Sequence, residues 1–239
     1  MNPCASCALR KYELFVPMTE AELAFMKDFR DGEHRLEAGE VLFHEGDETD
    51  YFYTVWTGQG ARYKHLANGD RQLVNFFFPG DLVGLQALLC DGSQTTAIAA
   101  SPMILCRFRK ANLHDLFREN PARAYDLTWL AAIEEHFLGE TIVTLGQRTA
   151  AQRLAWALLR IEARLKAVGL MRGSAAFFPF RQRDLADALG LSLVHTNKTL
   201  GRLRAYATWE GDLLRVIDAD MLADIAMVNR ERPAVRPLL

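Results

Sequence analysis

The stretch from Arg183 to Arg202 constrains the fold more tightly than any other part of this 239-residue chain. Leu185, Ala188 and Leu189 recur at i, i+3 and i+4, so they share one face of a helix. Gly190 supplies the left-handed corner that ends it. Ser192 stands where it can cap a second helix by accepting backbone N–H bonds. Thr196, Thr199, Leu200 and Leu203 form that helix's inner face. Leu193, Val194, His195, Asn197, Lys198, Gly201 and Arg202 are left on its outer face. A short helix crossing another, with polar and basic groups outward, fits a DNA major groove. A buried helix pair with a solvated face has the same periodicity, so the decision rests on the neighbouring residues.

Two neighbouring features favour the groove. Ala207 to Ile217 alternates as strand, turn and strand around Glu210-Gly211-Asp212, the pattern of a wing. The charge also changes sign along the chain. Residues 1–146 hold 13 Lys and Arg against 21 Asp and Glu, net −8; residues 147–215 hold 12 against 5, net +7. A basic segment that coincides with the helix pair is the electrostatic footprint of phosphate contacts.

The rest of the composition mainly excludes. Half the residues are hydrophobic, so the chain is globular, and its length suffices for two domains. No apolar run reaches the roughly 18 residues of a membrane span, and the polar N-terminal residues lack a secretion-signal core. Four cysteines, Cys4, Cys7, Cys90 and Cys106, are too few for a disulfide scaffold. The expectation is a cytoplasmic protein without a membrane partner.

Read in order, the chain shows a helix over Glu20–Phe29, capped by Thr19 with Glu22 at the capping-box position. Between Gly32 and Arg109, strands are expected at 41–43, 51–56, 60–63, 72–78, 97–100 and 103–108. Turns at Glu45-Gly46-Asp47, Asn68-Gly69-Asp70, Pro79-Gly80-Asp81 and Asp91-Gly92 separate them. Many short strands at regular spacing predict a sandwich or jelly roll, with a short helix following Pro79-Gly80-Asp81. Helix returns at 112–118 and over about 122–145, after Pro121. The long helix carries Leu127, Leu130, Ile133, Phe137, Leu138, Ile142 and Leu145 at spacings of three and four. They form either a contact with the chain's own barrel or a dimer seam of Leu130, Ile133, Phe137, Leu138 and Leu145. A further helix over 149–168 ends at Gly169. Phe177 to Phe180 reads as a strand, 220–228 as a last helix and 229–239 as a loose tail.

A jelly roll, a long helix and a winged helix-turn-helix in this order resemble the CRP/FNR family of bacterial transcription regulators, from about Leu14 to Val228. The motifs that carry the resemblance are Leu185-Ala186-Asp187-Ala188-Leu189-Gly190-Leu191-Ser192, running on to Arg204, and Phe78-Pro79-Gly80-Asp81-Leu82-Val83-Gly84. The resemblance implies an α+β fold: a cyclic-nucleotide-binding-type β jelly roll with the cysteine segment at 1–120, a dimerisation helix at 121–146 and a winged helix-turn-helix at 147–239. It implies a homodimeric regulator and not an enzyme. Its two recognition helices would lie roughly 34–36 Å apart on near-palindromic double-stranded DNA, with RNA polymerase as a further partner.

Carried over residue by residue, the resemblance assigns DNA contacts to Arg181, Arg183, Ser192, Leu193, Val194, His195, Asn197, Lys198 and Arg202. Leu193 and Val194 occupy positions where family members often carry an Arg and a Glu. Apolar groups there can touch thymine methyls but cannot read guanine, whereas Asn197 can pair with adenine. The effector pocket would be Gly84, Leu85, Gln86, Thr95 and Thr96. Cyclic-AMP-binding members have a Glu at the position of Leu85 and Arg-Ser at the position of Thr95-Thr96. Two threonines cannot neutralise a phosphate, so control by cyclic AMP is not expected.

The FNR branch holds an iron–sulfur cluster on four cysteines. Cys4, Cys7 and Cys106 match three of them, and Glu13 or Cys90 could stand in for the fourth. The Cys-x-x-Cys pair is equally compatible with zinc or a redox pair. An alternative is therefore the same regulator acting as an iron–sulfur or thiol redox sensor. A more distant one is a cupin-like metalloenzyme. That would need two or three His and a Glu converging on a metal, and His34, His44, Glu45 and His65 lack the close His-x-His spacing.

Overall fold

The structure is a computed structural model and describes residues 4–90, 92–230 and 233–239. Helix α1 (Glu20–Phe29) begins as its sequence predicts. Thr19 Oγ1 accepts from Glu22 N at 3.3 Å, and Thr19 N donates back to Glu22 Oε2 at 2.8 Å.

The barrel follows as β1 (Arg30–Leu36), β2 (Val41–Phe43), β3 (Tyr51–Thr57), β4 (Gly60–His65), β5 (Arg71–Phe77), β6 (Leu82–Val83), helix α2 (Leu85–Leu89), β7 (Thr96–Ala99) and β8 (Met103–Arg109). Two four-stranded sheets, ordered β1-β8-β3-β6 and β2-β7-β4-β5, face each other with every pair antiparallel. Their inner faces fill the space between them with Leu36, Phe43, Tyr53, Val55, Phe77, Val83, Ala97, Ala99, Met103 and Leu105. Strand β1 was not anticipated. Its Arg30-Asp31-Gly32-Glu33-His34-Arg35 run carries no apolar alternation, and only Leu36 at its end is buried. Of the anticipated Asp91-Gly92 turn, Asp91 lies outside the described residues.

Helices α3 (Leu113–Glu119), α4 (Pro121–Gln147) and α5 (Ala150–Ala167) come next. The 27 residues of α4 extend about 40 Å. Thr149 and Gln152 form a second capping box at the start of α5. The last region comprises β9 (Met171–Arg172), β10 (Ala175–Phe177), α6 (Gln182–Leu189), α7 (Leu193–Leu203), β11 (Ala207–Glu210), β12 (Leu213–Val216) and α8 (Ala219–Ala226). Its sheet runs β11-β12-β10-β9, and Glu210 pairs with Leu213 across the wing turn. The strand expected at Phe177 to Phe180 stops at Phe177.

Barrel and winged helix share one apolar core. Phe76 of β5 packs edge-on to Phe178 and Phe180, at 5.4 and 4.7 Å between ring centres. Leu154, Leu158 and Leu185 close the same cluster. Polar contacts reinforce it, with Gln59 Nε2 donating to Phe177 O at 2.8 Å and Gln72 Nε2 to Ala188 O at 3.1 Å.

The expectation of a loose tail is wrong. Arg236 bridges Phe15 in parallel, accepting from Val16 N at 2.9 Å and donating to Leu14 O at 2.8 Å. Leu238 and Leu239 are buried. Phe15 lies where a Cβ on Gly80 would stand, so only glycine lets this segment dock. The tail's few apolar residues carry no helical or strand period, so its anchoring is purely tertiary.

Candidate nucleic-acid interface

Helix α6 starts with the Asp184 carboxylate accepting from Arg181 N at 2.8 Å. Arg181 therefore leaves the capping to Asp184. Gly190, at φ +60°, turns the chain into the second helix, α7, where Ser192 Oγ accepts from His195 N at 3.2 Å. Thr196, Thr199 and Leu203 are buried beneath α7. Ser192, Leu193, Val194, His195, Asn197, Lys198 and Arg202 are all exposed, as are Arg181 and Arg183.

The two acidic residues of this helix pair point the other way. Arg71 of β5 binds Asp184 Oδ1 and Asp187 Oδ2, each at 2.7 Å. Tyr63 lies beneath the Arg71 guanidinium, 4.6 Å from its ring centre, and donates its hydroxyl to Asp184 at 3.1 Å. Burial, and next the Asp184 charge, push the Tyr63 phenol far up, so it stays a donor. Among the described residues, Arg181, Arg183, Lys198 and Arg202 make no ion pair, and the outer face holds no carboxylate of α6 or α7 to oppose phosphate.

The residues anticipated for an effector pocket lie in different settings. Gly84 is buried at φ +90°, Leu85 packs beside α1 and Gln86 is exposed. Thr95 is half-buried, and Thr96 Oγ1 is occupied by Glu45 N at 3.0 Å. An open groove of about 590 Å³ on the outside of the barrel is lined by Thr96, His44, Glu45 and His65. Glu45 is neutralised there by Lys64. Among the described residues no three His, Cys, Asp or Glu gather to hold a metal ion.

Cys4, Cys7 and Cys106 lie around one cavity without gathering into a metal-binding group. The cavity, of about 40 Å³, is also lined by Arg10, Arg30, Thr54, Leu238 and Leu239. Thr54 Oγ1 is buried there without a hydrogen-bond partner. Burial pushes the Cys106 thiol up to about 11 against the pull of Arg30, which donates to its sulfur. Cys4 is raised for the same reason. Glu13 and Cys90 are exposed and are not among the residues that line the cavity. The residues present do not fit a four-cysteine cluster. There are three thiols, the fourth side is taken by an arginine, and the space holds about two waters.

Asp81 ties three segments together. It is buried, binds Arg236 Nη1 at 2.8 Å and Arg164 of α5, and accepts from Phe78 N at 2.8 Å. Burial alone would raise its pKa, but the two guanidinium groups outweigh burial and hold it below the usual carboxylate range. Arg123 of α4, also buried, binds Glu22 at 2.8 Å and donates to Leu238 O at 3.3 Å. Sequence reasoning read Asp81 only as a turn residue and missed Arg30, Arg71, Arg123, Arg164 and Arg236. Arg30 and Arg123 have local partners in Glu33 and Asp126, but the contacts that join segments, to Cys106, Asp184, Glu22 and Asp81, are remote in the chain.

The anticipated seam of α4 divides. Leu130 is buried against the protomer's own barrel, and Phe137 stacks on Trp156 at 6.2 Å. Leu138 and Leu145 are half-buried, and Ile133 is exposed. Glu134, on the same helix, binds Arg62 and accepts from Asn75 Nδ2 at 3.2 Å.

Residues 33–120 match the cyclic nucleotide-binding domain model, and residues 152–225 match the Crp-like helix-turn-helix model. The nitrogen fixation regulation protein FixK of Bradyrhizobium diazoefficiens is 31% identical over 205 residues, covering 85% of this chain and 84% of that protein. The chain belongs to the CRP/FNR family of transcription regulators. The fumarate and nitrate reduction regulatory protein of Vibrio cholerae is 25% identical, over 95% of this chain and 92% of its own. The structure of FixK2 from Bradyrhizobium japonicum shares the fold of this family member with a TM-score of 0.74, at 24% identity, over 83% of this chain and 98% of that one. The regulator has the helix-turn-helix DNA-binding domain of its family, and no helix among its described residues is long and apolar enough to cross a membrane.

Proposed function

We propose that this regulator acts in the cytoplasm as a homodimer on near-palindromic DNA, without enzymatic activity and without cyclic AMP. The observation that carries the DNA reading is the exposed cationic face of α6 and α7, whose two aspartates are turned inward onto Arg71. Dimerisation is supported by a second face of α4. Tyr125, Trp129, Ala132, His136, Gly139, Val143 and Gly146 alternate at spacings of four and three, the repeat of a two-helix coil. Tyr125 is 70% and Val143 48% exposed, and nothing lies within 4 Å of where a Cβ on Gly139 or Gly146 would stand. A second copy of α4 could approach closely along this face. Independence from cyclic AMP is supported by the apolar filling of the barrel and by Leu85, Thr95 and Thr96.

Electrophoretic mobility shift with the full chain tests the reading. Binding to a selected palindrome is expected and should be lost in Lys198→Ala/Arg202→Ala; unchanged binding would overturn the role of α7. Val143→Glu should give a monomer by analytical ultracentrifugation, and a persisting dimer would move the interface elsewhere. Millimolar cyclic AMP should change neither DNA binding nor melting temperature.

A second reading, a thiol sensor, is favoured by the placement of Cys4, Cys7 and Cys106 around one cavity. Anaerobic purification with iron, sulfide and thiol analysis tests it. Oxidant-sensitive DNA binding that is abolished by Cys106→Ser is expected. Stoichiometric iron and sulfide would reinstate the cluster.

A further inference from the structure

The first turn of α7 presents two large apolar side chains to solvent. Val194 is 79% exposed and Leu193 44%, although the same helix buries Thr196, Thr199 and Leu203. A helix packing only for stability would reverse this arrangement. The exposed pair stands at the N-terminal end of α7, the part of a recognition helix that meets base edges. One turn further on lie Asn197 and Lys198, both exposed. The helix contains no acidic residue.

In the major groove, only thymine offers an apolar group on its edge, the C5 methyl. Guanine offers two acceptors and cytosine a donor, and Leu193 and Val194 can satisfy neither. A G·C pair facing them would lose its hydrogen bonds to water without replacement. We propose that Leu193 and Val194 form a thymine-methyl pad, which with Asn197 reading an adjacent adenine makes the operator half-site A·T-specific under the start of α7. This inference rests on the DNA-binding reading of α7. It assigns base selection to the apolar pair and affinity to the cations. Lys198 and Arg202 strengthen binding to any sequence, whereas Val194 discriminates by a group that uracil lacks.

The test uses the full chain. A half-site is first selected from randomised palindromes, and each of its thymines is then replaced in turn by deoxyuridine, which pairs identically but has no methyl. At one or two thymines a roughly fourfold loss of affinity is expected, which is about 0.8 kcal/mol for one methyl left unburied. Val194→Ala should bind the thymine site several-fold more weakly and become insensitive to deoxyuridine there. Lys198→Ala should weaken binding while keeping that sensitivity, which separates contact from general loss. Selected half-sites with G·C at these positions, or full binding with uracil throughout, would overturn the proposal. Failure to select any sequence would overturn the DNA-binding reading itself, and this assignment with it.

Discussion

The inside of the barrel and the junction beneath it are built on opposite principles. Inside, ten buried hydrophobic residues from Leu36 to Leu105 pack between the sheets. Beneath, Asp81 binds Arg164 of α5 and Arg236 of the tail, Arg123 of α4 binds Glu22, and three thiols share a cavity with Leu238 and Leu239 of the tail. The barrel interior is apolar, whereas the ion pairs tie the barrel's Pro79-Gly80-Asp81 turn to the tail and to α5, the helix leading into the winged helix.

The comparison predicts its largest effect at the junction. Asp81→Ala strands two largely buried arginines and should cost about 3–5 kcal/mol in urea unfolding at neutral pH. Asp81→Asn keeps an acceptor for Phe78 N and should cost less. A loss below about 1 kcal/mol would mean that water already reaches this site. Inside the barrel, Leu105→Ala removes a fully buried side chain and should cost about 2–4 kcal/mol. If that variant gained affinity for a small apolar ligand, the barrel would be a pocket held shut by a single side chain. Arg71→Ala is smaller. The arginine is partly exposed, so about 1 kcal/mol is expected, shrinking with added salt. Its more telling consequence would be weaker DNA binding, because Asp184 and Asp187 would no longer be neutralised behind α6.

How much could be read in advance follows the same division. The barrel strands were legible because Val, Phe, Tyr and Trp cluster between glycine turns, and α1 because Thr19 and Glu22 form a local box. Strand β1 was not, since its identity lies in pairing with β8 and its own residues are charged. The helix pair was legible down to its cap, because Gly190 and Ser192 are local signals. What covers the long helix was not legible. Spacings of three and four mark an apolar stripe but not what covers it, and in α4 the richest stripe, through Leu130 and Phe137, covers the protomer's own core. The junction was invisible, because Asp81 and Arg236 lie 155 residues apart.

The smallest effect separates the two regions by pH. His34 of β1 lies against Tyr53 of the barrel core, 5.7 Å between ring centres. Burial, and next the Arg107 charge, lower its pKa below the ordinary 6.5, with Glu40 opposing. A histidine lowered in the folded chain binds its proton more readily once unfolded. Stability from this site is therefore complete above about pH 6.5 and falls as the pH drops towards the folded pKa. Asp81, held low by its arginines, keeps its contribution throughout that window and gives it up only in stronger acid. His34→Gln should therefore flatten the loss of stability between about pH 6.5 and 5, measured by urea unfolding, and leave the acid limb below pH 4 unchanged. If the variant kept the whole slope near pH 6, the titration would belong to another histidine and the barrel would carry no proton-linked term of its own. If it lost the acid limb as well, barrel and junction would unfold as one coupled unit.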